Sequence, residues 1–225
     1  MHSDDISKLA ENKYNRLLLI LFLLLVSVGL PERRDLTKVG MLIVVLISMF
    51  SIIRKIRPGK SWIRLYTLLI SINLILLGLE ILGGVKLSAW RYGDDVLELI
   101  LFITIGVTIF LIQKEVFSTQ RVTADVLKGG IALYVLLGLF WAIFYTILYL
   151  FDVSAFYGVK PSQFQSDFLH FSFITLTTVG YGDIHPLTTS ARIATTLEAI
   201  VGVMYPAVLI SRLVSLYTTD SQESL

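Results

Sequence analysis

Near the C-terminal end of this chain, Thr178-Val179-Gly180-Tyr181-Gly182-Asp183 interrupts two apolar runs with a short polar stretch. Its chemistry lies in the main chain. Gly180 and Gly182 lack a Cβ and reach φ > 0 cheaply, so alternating backbone conformations can aim successive carbonyl oxygens at one axis. Thr178 adds a hydroxyl, while Val179 and Tyr181 turn outward and brace the backbone. Four copies around one axis stack these oxygens into rings that can replace the water around a bare cation. The lead-in, Phe168 to Thr177, is apolar up to the abrupt Gly-x-Gly. This predicts a half-length helix that enters a bilayer and returns as extended backbone, which must be buried in protein or line a water-filled path. The partially negative C-terminal end of that helix favours a cation at the centre. The alternative is a glycine-rich turn between two membrane helices.

The stretch resembles the pore loop of tetrameric potassium channels. That resemblance implies a selectivity filter formed by Thr178, Val179, Gly180, Tyr181 and Gly182, with potassium held at Thr178, Val179, Gly180 and Tyr181. From about Val122 to Tyr217 the chain looks like the outer helix, pore helix, filter and inner helix of the ion-channel superfamily. Phe171 to Thr178 and Leu197 to Gly202 resemble small bacterial channels with a four-span N-terminal half. Arg192 and Gly202 fall where related pores carry a helix-start arginine and a hinge glycine. The first half shares only its general pattern with that group.

The rest of the chain must position this segment, and its composition is that of a membrane protein. It is 55% hydrophobic and 16% charged, with a mean hydropathy of +0.77, well above a soluble domain. Without cysteine there is neither disulfide nor thiolate metal site, and a net charge of +2 does not point to nucleic acid. Apolar runs cover Leu17 to Leu30, Val39 to Ile53, Leu65 to Gly84, Val96 to Ile112, Gly129 to Phe151 and Ile193 to Tyr217. The first two are short for a core of about 30 Å, so they borrow flanking residues or form a hairpin around Pro31 to Asp35. The pattern predicts an all-α membrane protein of six transmembrane helices plus a re-entrant pore helix and filter. Residues 1–16 read as a retained cytoplasmic leader, 17–112 as a four-span domain, 113–128 as an interfacial connector, 129–217 as the pore domain and 218–225 as a cytoplasmic tail. The connector can equally be an ordinary link between helices.

Arg54, Lys55, Arg57, Lys60 and Arg64 between the second and third runs assign that link to the cytoplasm. Both termini are then cytoplasmic and Asp183 is outside, in the cell membrane; Arg33, Arg34 and Lys38 dissent. Val96 to Ile112 contains no Arg or Lys, so steep voltage gating, which needs charges that move through the field, is not expected. Nor is a sensing domain expected after Arg212. Gating is left to the membrane part, to lipid or pH, or to an unknown regulatory protein, or hardly occurs.

Several polar residues remain. Glu80, Asp94, Asp95 and Glu98 form an extracellular acidic cluster for protons or a divalent ion, or else pair with Lys86 or Arg91 near the interface. Asn73 is expected to join helices through its amide. Trp62 and Trp90 read as interfacial anchors, Trp141, Tyr145 and Tyr149 as packing at helical spacing, and His2 as without a role. Glu198, inside the last run, either accepts hydrogen bonds from Thr175 or Ser172 behind the filter or faces the cavity. Gly202 and Pro206 are read as an inner-helix hinge, or Gly202 as a small residue for close packing. Related pores carry a ring N–H on the pore helix for the acid after the filter; His170 stands at that level, and Ile174 where some carry a buried Glu. His170 therefore either supports Asp183 or faces another helix.

One filter strand cannot enclose an ion, so a homotetramer follows. The function expected is passive, potassium-selective conduction in a lipid bilayer. The alternatives are a subunit of a potassium-uptake transport system and a non-conducting membrane sensor. No nucleophile, metal cluster or phosphate loop suggests an enzyme, and no cofactor is implied beyond the permeant ion.

Overall fold

The computed structural model describes residues 14–28, 59–81, 93–120 and 122–223, with 46, 49–50, 53–54 and 56 between them. The helices are α1 (Asn15–Val28), α2 (Lys60–Ile81), α3 (Gly93–Ser118), α4 (Ala124–Phe151), α5 (Phe164–Leu176) and α6 (Thr189–Glu223). Two short strands, β1 (Phe156–Tyr157) and β2 (His185–Pro186), flank α5. Most of the second run, the hairpin at 31–35, His2, Lys86 and Trp90 lie outside the described residues, as do the side chains of Glu80, Asp94 and Asp95.

Among the described residues, three helices are long and apolar enough to cross a membrane: Val96–Ser118, Ala124–Phe151 and Thr189–Thr218. The protein is thus a helical membrane protein. Helix α1 has 14 residues, about 21 Å at 1.5 Å per residue, and is short of a bilayer core. Helix α2 has 22 residues but begins at Lys60 and contains Arg64 and Glu80. The expected connector is largely helical: α3 runs on to Ser118 and α4 starts at Ala124. Thr123 caps that start, its Oγ1 accepting from the N–H of Val126 at 3.3 Å.

The chain divides into two units, Met1–Arg91 with Thr104–Val135, and Tyr92–Ile103 with Leu136–Leu225. In the first, α2 is tied to α3 by polar contacts among buried side chains. The Tyr66 hydroxyl lies 3.0 Å from Thr108 Oγ1. Asn73 Nδ2 donates to Thr104 Oγ1 at 3.2 Å, making the interhelical amide bond expected of it. Trp62 leans on Phe110, their ring centroids 5.4 Å apart.

The second unit has an aromatic core. Tyr145 and Tyr149, one turn apart on α4, meet Phe156, Phe168 and Phe171. Phe156 stands edge-on to Phe168 at 4.9 Å, and Tyr145 edge-on to Phe171 at 5.1 Å. Edge-to-face pairs of this kind add about 0.5–1.5 kcal/mol each beyond buried area. They fix α5 against α4. After α4, Asp152 caps a 3-10 turn, accepting from Ser154 Oγ at 2.6 Å and Ser154 N at 2.9 Å. The Ser154 hydroxyl and then its N–H hold the Asp152 carboxyl below the usual carboxylate range. Beyond this turn β1 and β2 pair antiparallel, Phe156 with Pro186 and Tyr157 with His185.

Candidate ion-conduction site

Helix α5 ends where the glycine segment begins, and the turn is locked by backbone hydrogen bonds. Thr178 N donates to Thr175 O at 3.0 Å, while Val179 N and Gly180 N both donate to Ile174 O, at 2.8 and 3.1 Å. The segment thus starts on the C-terminal carbonyls of a helix, where the helix dipole is negative. Three alternate residues then have positive φ: Thr178 at 62°, Gly180 at 54° and Gly182 at 79°. Alternation of hand along an extended strand turns consecutive carbonyls to one side. Thr178 is the one non-glycine residue with positive φ among the described residues, and a β-branched side chain there is strained. A Cβ added at Gly180 or Gly182 would meet no atom within 4 Å. Backbone conformation, rather than crowding within the chain, therefore calls for glycine at both.

Thr178 to Asp183 are all exposed, Val179 by 52% and Tyr181 by 72%. Beside them an open hollow of about 300 Å³ is lined by Thr178, Gly180, Gly182, Thr195 and Ala199, among others.

At the Asp183 end, His170 Nε2 lies 3.2 Å from Asp183 Oδ2. The same imidazole lies parallel to the Tyr181 ring, centroids 5.9 Å apart and planes 7° apart. His170 and Asp183 are thus together, with Tyr181 as a third member. The reading of residue types missed one support here. Gly158, with φ +85°, is so close to the main chain of Asp183 that a Cβ would fall on the Asp183 carbonyl oxygen. Leu187 N also donates to Ala155 O at 2.8 Å. The only sequence signal was a glycine following an aromatic pair.

Glu198 lies behind α5, fully buried. It accepts from the Tyr145 hydroxyl, and its Oε1 is 2.5 Å from Ser172 Oγ. Of the two hydroxyls considered for it, Ser172 is the partner and Thr175 is not. Tyr145, read as packing, both packs and bonds. Ser172 Oγ is also 2.7 Å from the carbonyl oxygen of Gly138 on α4. Gly138 in turn leaves room for the Phe173 ring, which a Cβ would strike.

Gly202 is buried, and a Cβ there would fall on the carbonyl oxygen of Leu176, the last residue of α5. Helix α6 stays helical through Gly202 and Pro206. Pro206 has no N–H for the carbonyl four residues earlier, which belongs to Gly202 itself. Close packing and a weakened helix bond thus meet at one residue. Of the acidic cluster, Glu98 has a described side chain, and its Oε1 accepts from Gln165 Nε2 at 3.0 Å. Among the described residues there is no group of three or more His, Asp or Glu side chains able to hold a metal ion.

Residues 133–219 match the family model described as "Ion channel". The chain is 34% identical over 93 residues to a protein named "Two pore potassium channel c" from Oryza sativa subsp. japonica. The match covers 37% of this chain and 20% of that protein, so the chain spans about a fifth of its relative's length. No solved structure matches. The stretch that is similar to ion channels, residues 133–219, contains the glycine segment and most of its supports.

Proposed function

We propose that the chain is one subunit of a potassium-selective channel, four copies of which close Thr178–Gly182 around a common axis and conduct potassium passively. The observation that carries this reading is the alternation of positive φ at Thr178, Gly180 and Gly182 on a strand exposed along its whole length. Carbonyls turned to one side of such a strand lack three of the four walls needed to surround an ion, which a cyclic tetramer supplies. The named potassium channel among its relatives supports potassium as the ion. The exposed hollow and the apolar face of α6, with Ile193, Leu197, Ile200 and Val203 uncovered, support contact with neighbouring copies.

In this reading Asp183 faces outside the cell, the basic link at 54–64 and both termini face the cytoplasm, and the cell membrane is the site of action. Six spans, the partly described N-terminal half included, surround one pore loop. The fourth run carries no Arg or Lys, which supports a channel without steep voltage dependence. Gly202 and Pro206 form the gate-side hinge, and a separate regulatory protein or lipid sets its state.

Potassium flux into proteoliposomes, with sodium as competitor, tests the reading. Wild type is expected to pass potassium and exclude sodium. Gly180→Ala, forced to φ 54° at about 1–2 kcal/mol per copy, is expected to abolish that selectivity while the tetramer persists on size exclusion. Unchanged selectivity in the variant, or no flux in the wild type, refutes it; the latter outcome favours a transport subunit or a sensor.

A further inference from the structure

The contacts behind the filter carry an inference about which group donates hydrogen to which. Glu198 has no exposed surface within a single chain, so a neighbouring copy cannot reach its carboxyl. Among the described residues its partners are the hydroxyls of Tyr145 and Ser172, and neither brings a positive charge. Ser172 Oγ is in turn 2.7 Å from the Gly138 carbonyl. Three contacts therefore join four groups, and each contact needs a hydrogen between its oxygens. A tyrosine and a serine hydroxyl supply one each, and a carbonyl supplies none. An ionised Glu198 leaves one pair of oxygens facing each other bare. A carboxylic acid supplies the missing hydrogen.

We propose, on the reading of Thr178–Gly182 as an ion filter, that Glu198 is held as a neutral acid and is the hydrogen donor that positions the pore helix. The Tyr145 hydroxyl donates to one Glu198 oxygen, the Glu198 O–H donates to Ser172 Oγ, and the Ser172 O–H donates to the Gly138 carbonyl. Every group is satisfied, and the chain of donors runs in one direction through α6, α5 and α4. No covalent bond changes; the proton on Glu198 comes from water when the chain folds. Burial argues the same way, because a carboxylate out of water without a counter-charge is neutralised rather than tolerated. The acid is thereby a rigid clip on the helix whose last turn holds the filter. It is neither a cation attractor nor a counter-ion.

The donor pattern makes a specific demand on substitutions. Glutamine reproduces it: its carbonyl accepts from Tyr145 and its amide donates to Ser172. Alanine provides neither group. The test uses the full-length chain in liposomes and has two arms. The first is the infrared difference between wild type and Glu198→Gln in mildly alkaline buffer, where exposed carboxyls are ionised. It is expected to contain the carbonyl stretch of one protonated carboxyl. The second is potassium flux, with Glu198→Gln expected within about twofold of wild type and Glu198→Ala reduced at least about tenfold, the order expected when buried hydroxyls lose their partners. Absence of the protonated band overturns the proposal whichever way the flux falls. So does a Glu198→Gln chain that fails to assemble or is as impaired as Glu198→Ala. A wild type that shows the band but passes no potassium refutes the filter reading and leaves the neutral acid standing. The band and the glutamine arm decide the matter even if Glu198→Ala does not assemble.

Discussion

The glycine segment is held from two sides that differ in their physics. At the Asp183 end the support is wet: the His170 and Asp183 side chains are 44% and 54% exposed, and Gly158 approaches through main chain alone. Behind the segment the support is dry, with Glu198 and Ser172 without exposed surface and Gly202 set against the last carbonyl of α5. An exposed pair is screened and worth about 0–1 kcal/mol. A buried polar contact that loses one partner costs about 1–3 kcal/mol, since the group left behind has no water to turn to. The dry side therefore sets whether α5 is in place, while the wet side can tune the glycine segment without unseating it.

The largest effect is expected at Gly202. An added Cβ cannot be relieved by a rotamer change, because the atom it meets is main chain. Gly202→Ala should cost about 3 kcal/mol, the upper end for overpacking, read as a lowered midpoint of thermal dissociation of the tetramer. Its open probability should change more than its unitary conductance. An alanine variant as stable as wild type would remove the close contact from the dry support. Next comes Ser172→Ala, which deprives Glu198 of one partner. A loss of about 2 kcal/mol in the same assay, not repaired by changing pH, is expected; a loss as small as that of a surface pair would erase the contrast between the two sides.

Gly158→Ala should fall between them and the surface pair. Its φ of +85° costs alanine about 1–2 kcal/mol, and the neighbouring Asp183 carbonyl must shift. Faster decline of potassium current during maintained opening, with the tetramer intact, is the expected sign, and unchanged current decay would show that β1 does not brace the filter. His170→Phe should be the mildest, under about 1 kcal/mol. Phenylalanine keeps a ring against Tyr181 and removes the contact to Asp183. A slightly faster decline of potassium current than in wild type, with the tetramer intact, is its expected sign, since the 3.2 Å contact to Asp183 is lost while the ring stacking is kept. A current decay equal to that of wild type would detach His170 from the support of the glycine segment.

How much of this was legible beforehand depended on whether a residue's part is local. The alternating glycines announce positive φ by themselves, because only a missing Cβ makes that conformation cheap. The long apolar runs announce α3, α4 and α6 for the same kind of reason. Asn73 read as a link between helices because an amide among aliphatic residues has few other satisfactory fates. Glu198 was legible as a group needing partners but not as to which. Thr175 and Ser172 are three residues apart on one helix, and only the rotation of α5 about its axis chooses between them. Tyr145 spoke for packing by its spacing, and its hydroxyl gained a second task from an acid 53 positions away.

The sequence by itself determined the membrane class, the helical runs and the strand with alternating hand, since each follows from side-chain volume, polarity or the absence of a Cβ within a few residues. Tertiary structure alone decided that Gly158 lies on Asp183, Gly138 under Phe173 and Gly202 on Leu176, and that a serine links Glu198 to the Gly138 carbonyl. Those are distances between segments far apart in the chain, and a glycine that makes room for another segment looks, in sequence, no different from one that turns a corner.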